Sequence, residues 1–160
     1  MSTDGFTTCL WFDGRAEEAA QFYTALFKNS HLGNVMRYTE AGPGPAGSVV
    51  TVDFVANGQK FVALNGGPEF TFSEAVSFQI DCDDQAEVDH YWAELVKDGG
   101  EEGPCGWLKD KFGVSWQVVP TVLFELVSDP DQAKAARATK AMLSMGKLDV
   151  AQLKKAHAGE

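Results

Sequence analysis

Positive charge is scarce in this chain of 160 residues: 13 Lys and Arg stand against 23 Asp and Glu, a formal net charge of -10. Such a surface repels a phosphate backbone, and no basic run with interleaved aromatics interrupts it, so no nucleic-acid partner is expected. Long apolar runs are missing too, which excludes a membrane partner, and no signal peptide or Arg-rich presequence is read. The expected location is cytoplasmic. Cysteine is sparse: Cys9, Cys82 and Cys105 are an odd number at wide spacing, fitting neither a disulfide framework nor a CxxC metal motif. Cys9 and Cys82 lack a paired base in sequence and read as small, inert hydrophobes.

What is present is enough for one domain with a sizeable core. Residues 6–12 form a β-branched and aromatic run ended by Asp13-Gly14, which predicts a strand. From Arg15 to Lys28, Ala19, Phe22, Tyr23, Leu26 and Phe27 recur at helical spacing. A second strand is expected over 34–40, followed by the loop AGPGPAG, which no helix could cross. Residues 48–56 alternate, with Val50, Val52 and Phe54 on one face and Val49, Thr51 and Asp53 on the other. Asn57-Gly58 then predicts a hairpin to a strand over 60–64.

The second half opens alike, with a strand over 75–81 and a helix from about Asp84 to Lys97, started by Asp84 with Glu87 three residues on. Aligning Tyr23 with Trp92 gives an offset of 69, which also puts Thr8 on Ser77 and Glu18 on Glu87. This repeat predicts two copies of one βαβββ unit, the second abbreviated around 101–103. Cys105 to Pro120 reads as two strands joined by a tight turn, with Ser115, Gln117 and Val119 on one face. Gln117 either closes a hydrogen bond in the core or faces a ligand cavity. Residues 121–127 are a short apolar helix or turn. Ser128-Asp129-Pro130-Asp131 starts a helix with Pro at its first position, and one more amphipathic helix runs from Leu148 to His157.

The order of elements resembles the vicinal oxygen chelate (glyoxalase, bleomycin resistance and dioxygenase) superfamily. The strings CLWFDGRAEEAAQFYTALFKNS, GSVVTVDFVANGQKFVALNGGP and CGWLKDKFGVSWQVVP with the following SDPD resemble its PhnB-like branch, often labelled a 3-demethylubiquinone-9 3-methyltransferase domain. The resemblance implies an α+β fold: two βαβββ modules, about 5–67 and 75–120, forming a curved mixed sheet around a groove within a domain spanning 1–120. A C-terminal helical extension, 121–160, then docks on the same domain or on a partner chain. It also implies a homodimer.

In that superfamily His or Glu side chains on the first and last strands of each unit hold a metal. Carried over, those positions are Thr8 and Ser77, then Ala63, with Asn65 beside it, and Gln117. None is a strong ligand. His31 is read in the turn after the first helix, His90 on the second helix and His157 in the last, so no metal or other cofactor is expected. The methyltransferase label finds no support either, because GxGxxG at Gly42, Gly44 and Gly47 is broken by prolines and precedes a strand. The expected ligand-binding set is Thr8, Leu10, Thr51, Asp53, Ala63, Asn65, Ser77, Gln79 and Gln117, with Arg37 read as a partner for Asp53 or for an anionic ligand. Trp11 and Trp116 are expected in the core. Asp53 reads as a solvated or salt-bridged acid or as a proton acceptor. Two functions stay open: a module binding a small organic molecule in the groove, or an isomerase, lyase or methyltransferase acting on a small oxygenated substrate.

Overall fold

The structure is a computed structural model that describes residues 5–160, and it divides into two compact units, Met1–Thr71 and Phe72–Glu160. The first contains β1 (Thr8–Phe12), α1 (Ala16–Leu26), β2 (His31–Arg37), β3 (Val49–Ala56) and β4 (Gln59–Asn65), with the sheet ordered β1-β4-β3-β2. β1 runs parallel to β4 and the other pairs are antiparallel. Ala16, Ala19 and Ala20 are fully buried, so α1 can lie close to the sheet, and Tyr23 stacks on Phe54 with centroids 6.0 Å apart. Phe54 stacks in turn on Phe61 at 5.1 Å. Each such pair contributes about 1 kcal/mol beyond its buried area. Asn57 and Gly58 take the left-handed conformations that a two-residue hairpin needs.

β2 begins three residues before the expected strand over 34–40. Its pairing starts at His31, two residues after the left-handed Asn29, and Thr39 and Glu40 already belong to the loop. His31 is therefore a strand residue opposite Val55, not a turn residue. Every residue of β2 is exposed, including Leu32, Val35 and Met36.

The second unit repeats the order with β5 (Ser77–Cys82), α2 (Gln85–Val96), β6 (Glu101–Glu102), β7 (Trp107–Lys109) and β8 (Ser115–Pro120), arranged β5-β8-β7-β6. The fold is thus α+β with two βαβββ modules, as read from the chain. Asp84 caps α2 by accepting from the Glu87 amide at 2.9 Å, while Glu87 accepts from the Asp83 amide at 3.0 Å.

Three helices follow: α3 (Val122–Val127), α4 (Gln132–Leu143) and α5 (Val150–Ala158). Pro130 lies outside α4, whose cap is Asp131, accepting from Ala133 and Lys134. That corrects the expected helix start by two residues, since only Asp131 offers an oxygen to the unpaired amides of the first turn. Leu123, Leu126, Ala138, Leu148 and Leu153 form a core with Val119 of β8. Gln85 at the start of α2 grips this region twice, donating to the Leu148 carbonyl at 3.1 Å and accepting from the Val150 amide at 2.8 Å.

His157 of α5 pairs with Asp129 at 2.8 Å. The Asp131 amide, and after it His157, hold the Asp129 carboxyl below its ordinary value. A depressed carboxylate adds stability that is present above its unfolded pKa and lost as pH falls through the folded one. Asp129→Asn is therefore expected to lower the melting temperature at neutral pH, with the gap to the parent closing in the acid range. A gap that persisted unchanged in acid would assign the effect to shape rather than charge.

Candidate functional site

In each unit the helix between the first two strands covers one sheet face; in the second unit the C-terminal helices also cover the Val119 end of the other face, and the ladder registers say which side chains share a face. In the first unit Leu10, Phe12, Val52, Phe54, Phe61 and Ala63 are buried with α1. Cys9 lies opposite Val62, which lies opposite Asp53, and Trp11 lies opposite Leu64, which lies opposite Thr51. These two rows form the face away from α1. The expected site residues therefore separate: Thr51 and Asp53 stand on the free face, whereas Leu10 and Ala63 are core at 6% and 0% exposure, and Thr8 shares their side.

The cause is one residue of register. The helices repeat at an offset of 69, from Ala16 to Gln85, but the buried strand residues Leu10 and Phe12 match Ile80 and Cys82 at 70. Asp13-Gly14-Arg15 joins strand to helix in the first half and only Asp83-Asp84 in the second. An alignment set on the helices carries the strand one residue out of phase, and a one-residue slip turns every side chain over. In ladder terms the counterpart of Gln117 is Val62, across from Cys9, and not Ala63.

Other expectations shift with it. Trp11 is not under the helix: its indole donates to the Gly67 carbonyl at 2.9 Å and meets Phe70 edge-on at 4.9 Å. Asn65 works inside the fold, its Oδ1 accepting from the Ala16 amide at 2.9 Å and its Nδ2 donating to the Val49 carbonyl at 3.2 Å. It thereby satisfies one of the free amides at the start of α1. Arg37 does not serve Asp53; it donates to the Gly47 carbonyl at 3.1 Å and lies 3.9 Å from Glu17. Asp53 is exposed and shares a 400 Å³ concavity with Thr7, His31, Asn34 and Lys60. That set joins an imidazole, a carboxylate and an ammonium on one surface, the groups that proton transfer uses. The set is not visible along the chain, because the residues after α1 read as a turn and hide His31 as a strand residue.

In the second unit the expected residues do come together. Gln79, Gln117 and Trp107 form one row across β5, β8 and β7, and Ser77, Ser115 and Lys109 form the next. Both rows lie on the face away from Phe78, Ile80, Trp116 and Val118, so Trp116 is buried as expected. Gln117 is half-buried, and its Nε2 donates to Ser77 Oγ at 3.0 Å. Gln79 donates to Asp81 at 2.8 Å. Lys109 holds Glu74 at 2.6 Å; the pair keeps the ammonium above and the carboxyl below their ordinary values. Beside these rows a 190 Å³ cavity is lined by Glu74, Glu101, Glu102, Trp107, Lys109 and Ser115. Of these only Ser115 is singled out by the strand alternation, and the others become visible through the β6–β7–β8 pairing.

Two groups suggested by kinship can be tested on these residues. Hydroxyl and amide side chains on the free strand faces do not fit a transition metal, and among the described residues no group of three or more His, Cys, Asp or Glu could hold one. Burial pushes the Cys82 thiol up to about 12 and raises that of Cys9, so neither offers a ready thiolate. Nor do the loop glycines fit a nucleoside cofactor. A Cβ on Gly42 or Gly44 would sit 2.7 or 2.6 Å from the Tyr38 ring, and the loop leads into β3, not into a helix N-terminus. These glycines make room for Tyr38.

The family model described as 3-demethylubiquinone-9 3-methyltransferase matches residues 4–119. The PhnB protein from Bacillus cereus is 37% identical over 74% of this chain and 100% of its own, with a TM-score of 0.65. Protein PA1353 from Pseudomonas aeruginosa is 20% identical over 74% of this chain and 98% of its own, TM-score 0.59. The fosfomycin resistance protein FosX from Listeria monocytogenes, crystallised with Mn(II) and sulfate, is 17% identical over 74% of this chain and 92% of its own, TM-score 0.51. The last two share the fold alone. No curated protein matches the chain. The chain belongs to the 3-demethylubiquinone-9 3-methyltransferase family, the PhnB-like branch of the vicinal oxygen chelate superfamily.

Proposed function

We propose that this PhnB-like protein binds a small organic molecule on the sheet faces that its helices leave free, without a tightly held transition metal, as a homodimer in the cytoplasm. Gln117 carries the reading. It stands mid-strand and half-buried, one arm of its amide held by Ser77 at 3.0 Å and its carbonyl oxygen without a hydrogen bond among the described residues. A packed core closes both ends of an amide; a binding face keeps one end for the ligand. Thr51, Asp53, Ser77 and Gln79 add polar groups on the same kind of surface. For the dimer, Leu32, Val35 and Met36 expose 47%, 42% and 53% of their surface on the edge strand β2, an apolar stretch that a second copy would cover.

Native mass spectrometry of the purified protein tests both statements, since a retained ligand appears as added mass and pairing as a doubled one. Gln117→Leu is expected to weaken that ligand by about 1 to 3 kcal/mol, the cost of leaving a polar group of the ligand unpaired, with little change in melting temperature. A destabilised variant that still carries the ligand would remove Gln117 from the site.

A further inference from the structure

We propose that the cavity on the second unit binds a small organic ammonium, a protonated amine carried on a single ring or short apolar body. This rests on the reading that the free face of that sheet binds a ligand, and it adds the ligand's class.

Charge is the first ground. Glu74, Glu101 and Glu102 line the 190 Å³ cavity with Lys109 as the one cation. The Lys109 ammonium is taken up by Glu74 at 2.6 Å, and Glu102 accepts from the Trp92 indole at 2.8 Å. Among the described residues Glu101 makes no ion pair or hydrogen bond through its side chain and is only attracted at longer range by Lys109, so three carboxylates face one ammonium and the cavity carries uncompensated negative charge, which excludes an anion as its occupant.

An acidic cluster alone would be a solvated edge, but two uncharged groups mark this one as a site. Ser115 is 1% exposed, belongs to the lining, and its hydroxyl has no hydrogen-bond partner. Leaving a buried hydroxyl unpaired costs about 1 to 3 kcal/mol, a cost that an occupant able to donate to it removes. Trp107 is half-buried in the same wall, and an indole ring attracts a cation.

The wall is also held in place. Gly103 donates to the Trp107 carbonyl at 2.9 Å, while Cys105 and Gly106 donate to the carbonyls of Met145 and Gly146 at 2.7 and 2.8 Å. Cys105 and Gly106 both take left-handed backbone, which aims the chain into β7. The carbonyls that fix this turn belong to the C-terminal extension, beyond the 4–119 span of the family match. The extension thus preorganises the cavity, and preorganisation reduces the ordering cost of binding.

Benzylamine, protonated at neutral pH, and its neutral counterpart benzyl alcohol test the class by NMR titration of the full chain. Benzylamine is expected to shift the Trp107 indole and Ser115 amide signals and to bind about tenfold more tightly than the alcohol. Glu101→Gln and Trp107→Leu, which leave the backbone ladder of β6 and β7 in place, should each cost it about tenfold. Equal binding of amine and alcohol, or an unchanged affinity in Glu101→Gln, would overturn the proposal. If the Trp107 and Ser115 signals stay fixed under benzylamine while neutral fragments shift the Gln79 and Gln117 side-chain amides, the ammonium class falls and the face remains a ligand surface. If none of these signals moves with any probe, both readings fall.

Discussion

Asp110→Asn is expected to unfold the second unit far more readily than any other exchange of one oxygen for one nitrogen. Asp110 is 2% exposed at the turn between β7 and β8, and its Oδ1 accepts from the Phe112 and Val114 amides at 2.9 and 3.1 Å. Its Oδ2 accepts from the Trp116 indole at 2.8 Å. All three donors are satisfied by one side chain, and the turn of residues 110–113 closes around it. An asparagine can still serve the two amides but turns its own N–H₂ toward the indole N–H, so two buried donors face each other without an acceptor. The expected loss is about 2 to 3 kcal/mol, which for a chain of this size lowers the melting temperature by roughly 5 to 10 °C. Trp116→Phe removes the indole donor and costs packing of its own. In that background Asp110→Asn should cost much less, a coupling that a double-mutant cycle reads directly. Additive losses would show that the indole contact contributes nothing.

Gly100→Ala should be comparably severe for a different reason. Gly100 follows α2, and a Cβ there would lie 2.6 Å from the Leu95 carbonyl oxygen, 2.6 Å from Val96 Cα and 2.8 Å from the Lys109 carbonyl oxygen. All three obstacles are backbone atoms, so no side chain can swing aside, and either the helix end or β7 must move. Overpacking of this kind costs about 3 kcal/mol or more. Gly146→Ala is the matched control, because its Cβ would meet only the Gly103 oxygen at 3.5 Å, an ordinary contact. Denaturant unfolding of both variants should place Gly146→Ala near the parent and Gly100→Ala well below it. Equal midpoints would mean that the α2–β6 connection is loose enough to absorb a methyl group.

Much of the fold can be read along the chain because its causes are local. The Asn57-Gly58 turn, the Asp84 cap with Glu87 and the apolar stripe of Val88, Tyr91, Trp92 and Leu95 each involve residues within a turn or two of one another. The errors are local too, but they sit where two local signals compete. Pro130 looks like a first helical residue, yet Asp131 with its side-chain acceptor begins α4. Thr39 and Glu40 carry on a β-prone run, yet the Tyr38 amide bonds to the Ser48 carbonyl at 2.9 Å and the hairpin loop has already opened.

Which strand face each residue takes is legible in one half and not in the other, and the difference is a matter of sign. Alternation along β1 separates Thr8, Leu10 and Phe12 from Cys9 and Trp11 by residue types alone, but period 2 does not say which set a helix will cover. In β5 and β8 the contrast of Ser77, Gln79 and Gln117 with Ile80 and Val118 settles that sign, because amides and hydroxyls stay toward water. In β1 both sets are apolar enough to be buried, and the answer waits on α1, which packs on β3 and β4 on the face that Leu10 and Phe12 share with Phe54 and Ala63.

Short-range pattern is enough for the α+β class, the twofold βαβββ order and the polar strand face of the second module. Pairing over long distance is a matter of three-dimensional packing. Asn65 caps a helix 49 positions earlier, Gln85 clasps Leu148 63 positions on, and Ser115 is left with a buried hydroxyl unpaired among residues from three strands. Such partnerships leave no periodic trace, because a hydrogen bond specifies geometry and donor type but not separation along the chain.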